Sequence, residues 1–124
     1  LVIPVTELKG KMEYDQNLGY YRQRSWQGAY VFNVDLNGFA VKGTITHNEG
    51  DEKQEWYWYG SPNAVRRSLF MDDVLYTVSY KKIKSNDLNN INTEIKTIDL
   101  PYEQNNYPVP LYKGGGVVEP RVIQ

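Results

Sequence analysis

The chain has 124 residues with 14 basic and 15 acidic side chains, a formal net charge of −1 and a pI near 5.8. That length suits one small domain with a modest core, and the charge balance argues against nucleic acid, because a phosphate backbone needs a basic surface. No apolar run reaches the about 18 residues that a helical membrane span needs, and the absence of cysteine excludes a disulfide framework or a thiolate metal site without fixing the compartment.

Eleven tyrosines and three tryptophans in an Asn-rich, Ala-poor chain point to a β-protein and suit a secreted one. Apolar residues alternate or come in short runs, and no segment sustains helical periodicity. Residues 1–6 (LVIPVT) read as a first strand, with Pro4 at an edge or a bulge. Leu1 is an unusual first residue, and the expectation is that sequence precedes or preceded it. Residues 7–27 read as a long polar and aromatic loop. Residues 29–36 form a strand, Asn37-Gly38 is a strong hairpin signal, and residues 39–47 return. A second loop covers residues 48–63. Four strands follow, at residues 64–71, 74–80, 83–88 and 93–100, with turns at Asp72-Asp73 and at Asn89–Asn92. The tail, residues 102–124, carries Pro108, Pro110, Pro120 and three consecutive glycines, and reads as extended linker.

The chain resembles itself at a distance. The triplet DLN stands at residues 35–37 and again, 52 residues on, at 87–89, each time closing one strand before a turn. TI follows at 44–45 and 97–98, and LVIPV before the first copy parallels VLYTV before the second. This predicts two copies of one supersecondary unit, three strands in the first and four in the second, at a spacing typical of propeller and solenoid repeats. Four antiparallel strands repeated radially make a propeller blade. Two blades leave wide apolar faces, so partner blades are expected from the same precursor or from another chain. A seven-stranded sandwich uses the same strands and needs no partner.

Three segments carry a family resemblance: the opening LVIPV, then QGAYVFNVDLNGFAVKGTITH, then RRSLFMDDVLYTVSYKKIKSNDLN. In this order, with variable loops between them, they resemble the last blades of secreted archaeal and bacterial proteins with a C-terminal β-propeller domain. The likeness covers residues 1–101. It implies an all-β fold of about two antiparallel blades and exposure outside the cell or at its surface. It carries no catalytic residues and implies no cofactor.

His47 is the only histidine, so this chain holds no multi-His metal site and no histidine relay. A structural role at a blade edge is the plainer reading. No serine stands in a nucleophile-elbow setting. Asp51, Glu52 and Glu55, and separately Asp72 and Asp73, are carboxylate pairs of a kind that Ca²⁺ takes. Neither has the spacing of a calcium loop, and solvated turns account for both. The basic groups Arg66-Arg67 and Lys81–Lys84 read as solvated edges that block unwanted sheet pairing. The most unusual stretch is EWYWYG, with Trp56, Tyr57, Trp58 and Tyr59 in succession. Side chains alternate along a strand, so these four cannot all face one core. They suit a protein interface, a sugar-stacking platform or local cover. Tyr20, Tyr21 and Trp26 in the other long loop belong to the same expected binding surface. The expectation is a non-enzymatic binding or scaffolding module, with glycan binding as the alternative.

Overall fold

The computed structural model describes residues 1–50, 53–57, 60–103, 109–110 and 120–121. Among them every element is a strand. The first sheet holds β1 (Val2–Asp15), β2 (Tyr20–Asp35), β3 (Gly38–Thr46) and a short β4 (Glu55–Trp56). It runs β1-β2-β3 antiparallel, and β4 pairs with β2 at Arg24 and Ser25, before β3 has joined it. The second sheet is an antiparallel meander, β5 (Arg67–Met71), β6 (Val74–Val78), β7 (Lys82–Asp87) and β8 (Asn90–Asp99). Farther on, β9 (Val109–Pro110) and β10 (Pro120–Arg121) pair antiparallel. The rest of the predicted tail beyond residue 103 lies outside the described residues.

The repeat is a turn repeat. The Asp35 carboxylate accepts the Asn37 N–H at 2.7 Å, and the Asp87 carboxylate accepts the Asn89 N–H at 2.8 Å. Each Asp thus builds an Asx turn that reverses the chain in two residues. The flanking likenesses do not share this register. Counting back by the same 52 residues equates Val31 with Ile83, and their partners are Val2 and Val78. The LVIPV–VLYTV comparison sets Val2 against Leu75, three positions away. The strands correspond, but those letters do not.

The long loop expected at residues 7–27 is mostly strand. β1 continues to Asp15, a tight turn follows, and β2 begins at Tyr20. The ribbon looks like loop in sequence because it projects past the second sheet and most of its side chains stay exposed or half-exposed, which dilutes the apolar alternation. Cross-strand pairs hold it instead: Tyr14 meets Tyr21 edge-on at 5.1 Å, and Arg22 makes an ion pair with Asp15. A bulge between Lys9 and Glu13, with Gly10 at φ 66°, bends β1 on the way. Likewise the expected loop 48–63 contains β4.

Alternate residues of β2, namely Ser25, Gln27, Ala29 and Val31, face the second sheet and are buried. With Ile45, Leu75 and Ile91 they form the contact, and the apolar core is Val31, Ile45, Leu75 and Ile91, flanked by Val2 and Leu88. So small a core makes close approach important. A Cβ on Gly43 would stand 2.8 Å from Cβ of Ile91, so glycine lets β3 meet β8. At Gly28 an added Cβ would overlap the Ile45 carbonyl oxygen across the ladder. Backbone cannot yield there as a side-chain tip does. Gly28→Ala is expected to cost about 1–3 kcal/mol, read as a lowered urea midpoint; a midpoint within error of wild type would contradict the packing described.

The opposite face of each sheet is open. Ile3, Val34, Phe39 and Val41 are exposed on the first, and Leu69, Met71 and Ile98 on the second.

Candidate functional site

The far end of the β1–β2 ribbon gathers the aromatic residues. Tyr14, Tyr20, Tyr21 and Leu18 are exposed there. The second loop comes back to this ribbon. The Tyr57 N–H donates to the Gln23 carbonyl at 2.7 Å, and Trp56 pairs with Arg24. The two expected loop segments therefore meet on one strand, which the sequence left open. Their aromatics do not all behave alike. The guanidinium carbons of Arg22 and Arg24 each lie 3.8 Å from the Trp56 ring centroid. Its π-surface is occupied by the protein's own cations, and the contact is worth about 0.5–2 kcal/mol depending on desolvation. Tyr20, Tyr21 and Tyr57 remain exposed. Trp26 is half-buried, edge-on to Tyr30 at 5.7 Å, and its ring lies over Gly28. It packs against the sheet rather than standing with the tip. Trp58 and Tyr59 lie outside the described residues.

Below this end a cleft of about 420 Å³ opens between the sheets, bordered by Thr6, Ser25, Glu55, Tyr57, Ser61 and Arg66. Its floor is set by Gln27, whose side-chain amide grips both backbone groups of one residue in the following segment. Gln27 Oε1 accepts the Val65 N–H at 2.7 Å and Nε2 donates to the Val65 carbonyl at 3.2 Å. All three groups are buried, so the double bond ties the first sheet to the entry of the second. The loop reading of residues 7–27 passes over Gln27. A glutamine in the apolar half of an alternating strand was the one available cue.

His47 is fully buried. Its Nδ1 lies 2.8 Å from Ser79 Oγ and its Nε2 2.9 Å from Thr77 Oγ1. Burial and the nearby Lys84 and Lys82 push its pKa down to about 4, so at neutral pH the ring is neutral. One ring nitrogen then donates and the other accepts, and a hydroxyl, able to do both, suits either side. Serine beside histidine has the atoms of a nucleophile and a base. Here both are sealed from solvent, and the other ring nitrogen is held by Thr77 where a triad would have a carboxylate. The arrangement joins β3 to β6 across the sheets, the structural role expected of it.

The basic run at 81–84 is a correction. Lys82 is buried and pairs with Glu49, and Lys84 bonds Glu94 at 3.2 Å. They are spent on ion pairs at the junction, not on an open edge. Arg66 lies 4.2 Å over the Tyr80 ring. Among the described residues no three acidic or histidine side chains cluster as metal ligands do. Asp51 and Glu52 lie outside those residues. Asp72 takes φ 50° at the β5–β6 turn, and the Asp73 carbonyl accepts the Leu88 N–H at 2.8 Å.

Two successive antiparallel sheets, one packed on the next with the same turn repeated, define a pair of propeller blades. The model of the family described as "Beta propeller domain" matches residues 1–91, and the chain belongs to that family. No curated protein and no solved structure matches it.

Proposed function

We propose that this chain is a non-enzymatic binding or scaffolding module, placed outside the cell or at its surface, which associates with other proteins through the aromatic end of its long hairpin. The observation that carries the reading is the exposure of Tyr20, Tyr21 and Tyr57 together at one end of the first sheet. Tyrosine offers a large apolar face with a polar tip, which is why it is enriched where proteins meet. Further blades, from the same precursor or another chain, stack on the open faces and hold this end rigid.

A second reading, glycan binding, has one observation in its favour. Tyr57 borders a cleft that also offers Ser61, Glu55 and Arg66, a ring beside hydrogen-bonding groups. Trp56 adds little to it, because arginines already cover its ring.

The test is a photo-crosslinking amino acid placed singly at Tyr21, at Tyr57 and, as control, at the exposed Leu36. Leu36 stands at the other end of β2, about 50 Å away at the usual strand rise. On source cells, discrete protein adducts from positions 21 and 57 but not from 36 are expected. Equal labelling at all three positions, or none, sinks the protein-binding reading. Binding on a glycan array that Tyr57→Ala abolishes, without adducts, would replace it by the sugar reading.

A further inference from the structure

Set against the second blade, the long ribbon is an addition to the first. The 52-residue correspondence equates Ile3 and Tyr30 with Ser79 and Lys82, where the second sheet turns at once from β6 to β7. The first sheet instead carries both strands on to Asp15 and Tyr20. Additions to one repeat commonly form the binding side of a repeat protein. Side chains alternate along a strand, and the ribbon's irregularity lies on β1, so the faces of β2 carry through to its end. Outside that bulge, the face turned toward the second sheet carries Thr6, Leu8, Tyr14, Tyr21, Gln23 and, beside them, Tyr57. None of these is charged. The other face carries Glu7, Lys9, Glu13, Asp15, Arg22 and Arg24. Its charges satisfy one another: Glu7 pairs with Lys9 and Asp15 with Arg22, and both arginines close on Trp56.

The charged face continues the open face of the first sheet, where a neighbouring blade belongs. The uncharged face overhangs the end of the second sheet and runs down into the cleft. We propose that this uncharged face is the docking side of the ribbon, and that its occupant is an extended, uncharged segment of a partner protein. Leu8, Tyr14, Tyr21 and Tyr57 stand exposed on it. A charged group laid across them would lose its water and gain no counter-ion, so the matching surface is a neutral one. The cleft at the root supplies polar partners. Ser61 is buried; its Oγ accepts the Asn63 N–H at 3.3 Å, and its own proton goes to no described residue. Ser25, also buried, has only a long bond of 3.4 Å to the Glu55 carbonyl. Both hydroxyls have a proton to give, and a peptide backbone answers with carbonyl oxygens. Tyrosine and serine together suit the grasp of a protein surface, rings giving area and hydroxyls adaptable hydrogen bonds. This rests on the protein-binding reading above and adds to it the face used and the chemistry of the partner.

The experiment places the photo-crosslinking amino acid singly at Leu8, Lys9, Glu13 and Tyr14, in the protein as its source cells make it. These are two pairs of sequence neighbours, and each pair straddles the two faces. Adducts of one common mass are expected from Leu8 and Tyr14, and none above background from Lys9 and Glu13. Peptide mapping should place the crosslink in a stretch of the partner free of Lys, Arg, Asp and Glu. Equal labelling from both faces overturns the proposal, as does labelling from the charged face alone or a crosslink into a charged stretch. A crosslink from Leu8 or Tyr14 back to the protein's own chain overturns it too, because the face is then already covered. If Tyr21 and Tyr57 give adducts while Leu8 and Tyr14 do not, the protein-binding reading stands and the assignment of the face falls. If none of these positions labels, both fall.

Discussion

Urea unfolding of the chain should show stability falling as pH drops from about 6.5 toward 4, by on the order of 3 kcal/mol, with His47 responsible. Unfolded, this histidine takes a proton near its ordinary pKa of 6.5; folded, it resists until about 4. Between those values unfolding binds a proton, so lower pH favours the unfolded chain. The contribution is complete above pH 6.5 and gone once pH passes below the folded value. The window is clean because the chain has a single histidine. Carboxylates enter only lower down: Glu49 and Glu94 are held below their ordinary range by hydrogen bonds to Lys82 and Thr97 and add their own loss in stronger acid. His47→Asn keeps a donor and an acceptor without the titration. That variant should be less stable at pH 7.5 and nearly flat between pH 5 and 6.5. An unchanged slope in His47→Asn would mean that some other group carries the dependence.

Leu75→Ala should cost about 2–5 kcal/mol. Leu75 is 1% exposed, the largest of the fully buried side chains, and touches a core of only three other buried apolar residues. A domain of this size is stable by about 5–15 kcal/mol in total, so the variant should lose a large part of its margin. Phe70 gives the comparison. It is Leu75's cross-strand partner and larger, yet 71% exposed, so Phe70→Ala should stay within about 1 kcal/mol in the isolated chain. Midpoints from urea titrations of both variants decide the matter. If Phe70→Ala proves the costlier, the first sheet covers this face out to β5 and not only over β6 as described.

Phe70 and Leu75 also mark how far the letters reach. Strand alternation and turn residues are local, so all four strands of the second sheet are legible, although β5 starts three residues later and β8 three residues earlier than the letters suggest, and the Asp-Leu-Asn turns give away the repeat. The β1–β2 ribbon was missed because a strand with both faces wet shows little apolar alternation, and its pairing depends on a partner segment that period-two reasoning does not see. The KKIK run was misjudged for a related reason. Lysine inside a junction needs Glu49 and Glu94 brought from 33 and 10 residues away, which composition cannot report. A lone histidine at a strand end reads as structural, but its hydroxyl partners Thr77 on β6 and Ser79 just after it are not visible in the letters. Of the aromatic residues, the stretch around Trp56 stands out in the letters, yet only the approach of Arg22 and Arg24 separates a covered ring from the open tyrosines.

By itself, then, the sequence determined that this chain is all-β, that its turns repeat at 52 residues, and that a pair of blades results, because backbone propensity and turn chemistry act over a few residues. The tertiary structure alone decided which aromatics stand free, which lysines are buried, and which face of each sheet stays open. Those depend on which side of a strand meets which neighbour, and a single bulge or a partner dozens of residues away is enough to set that.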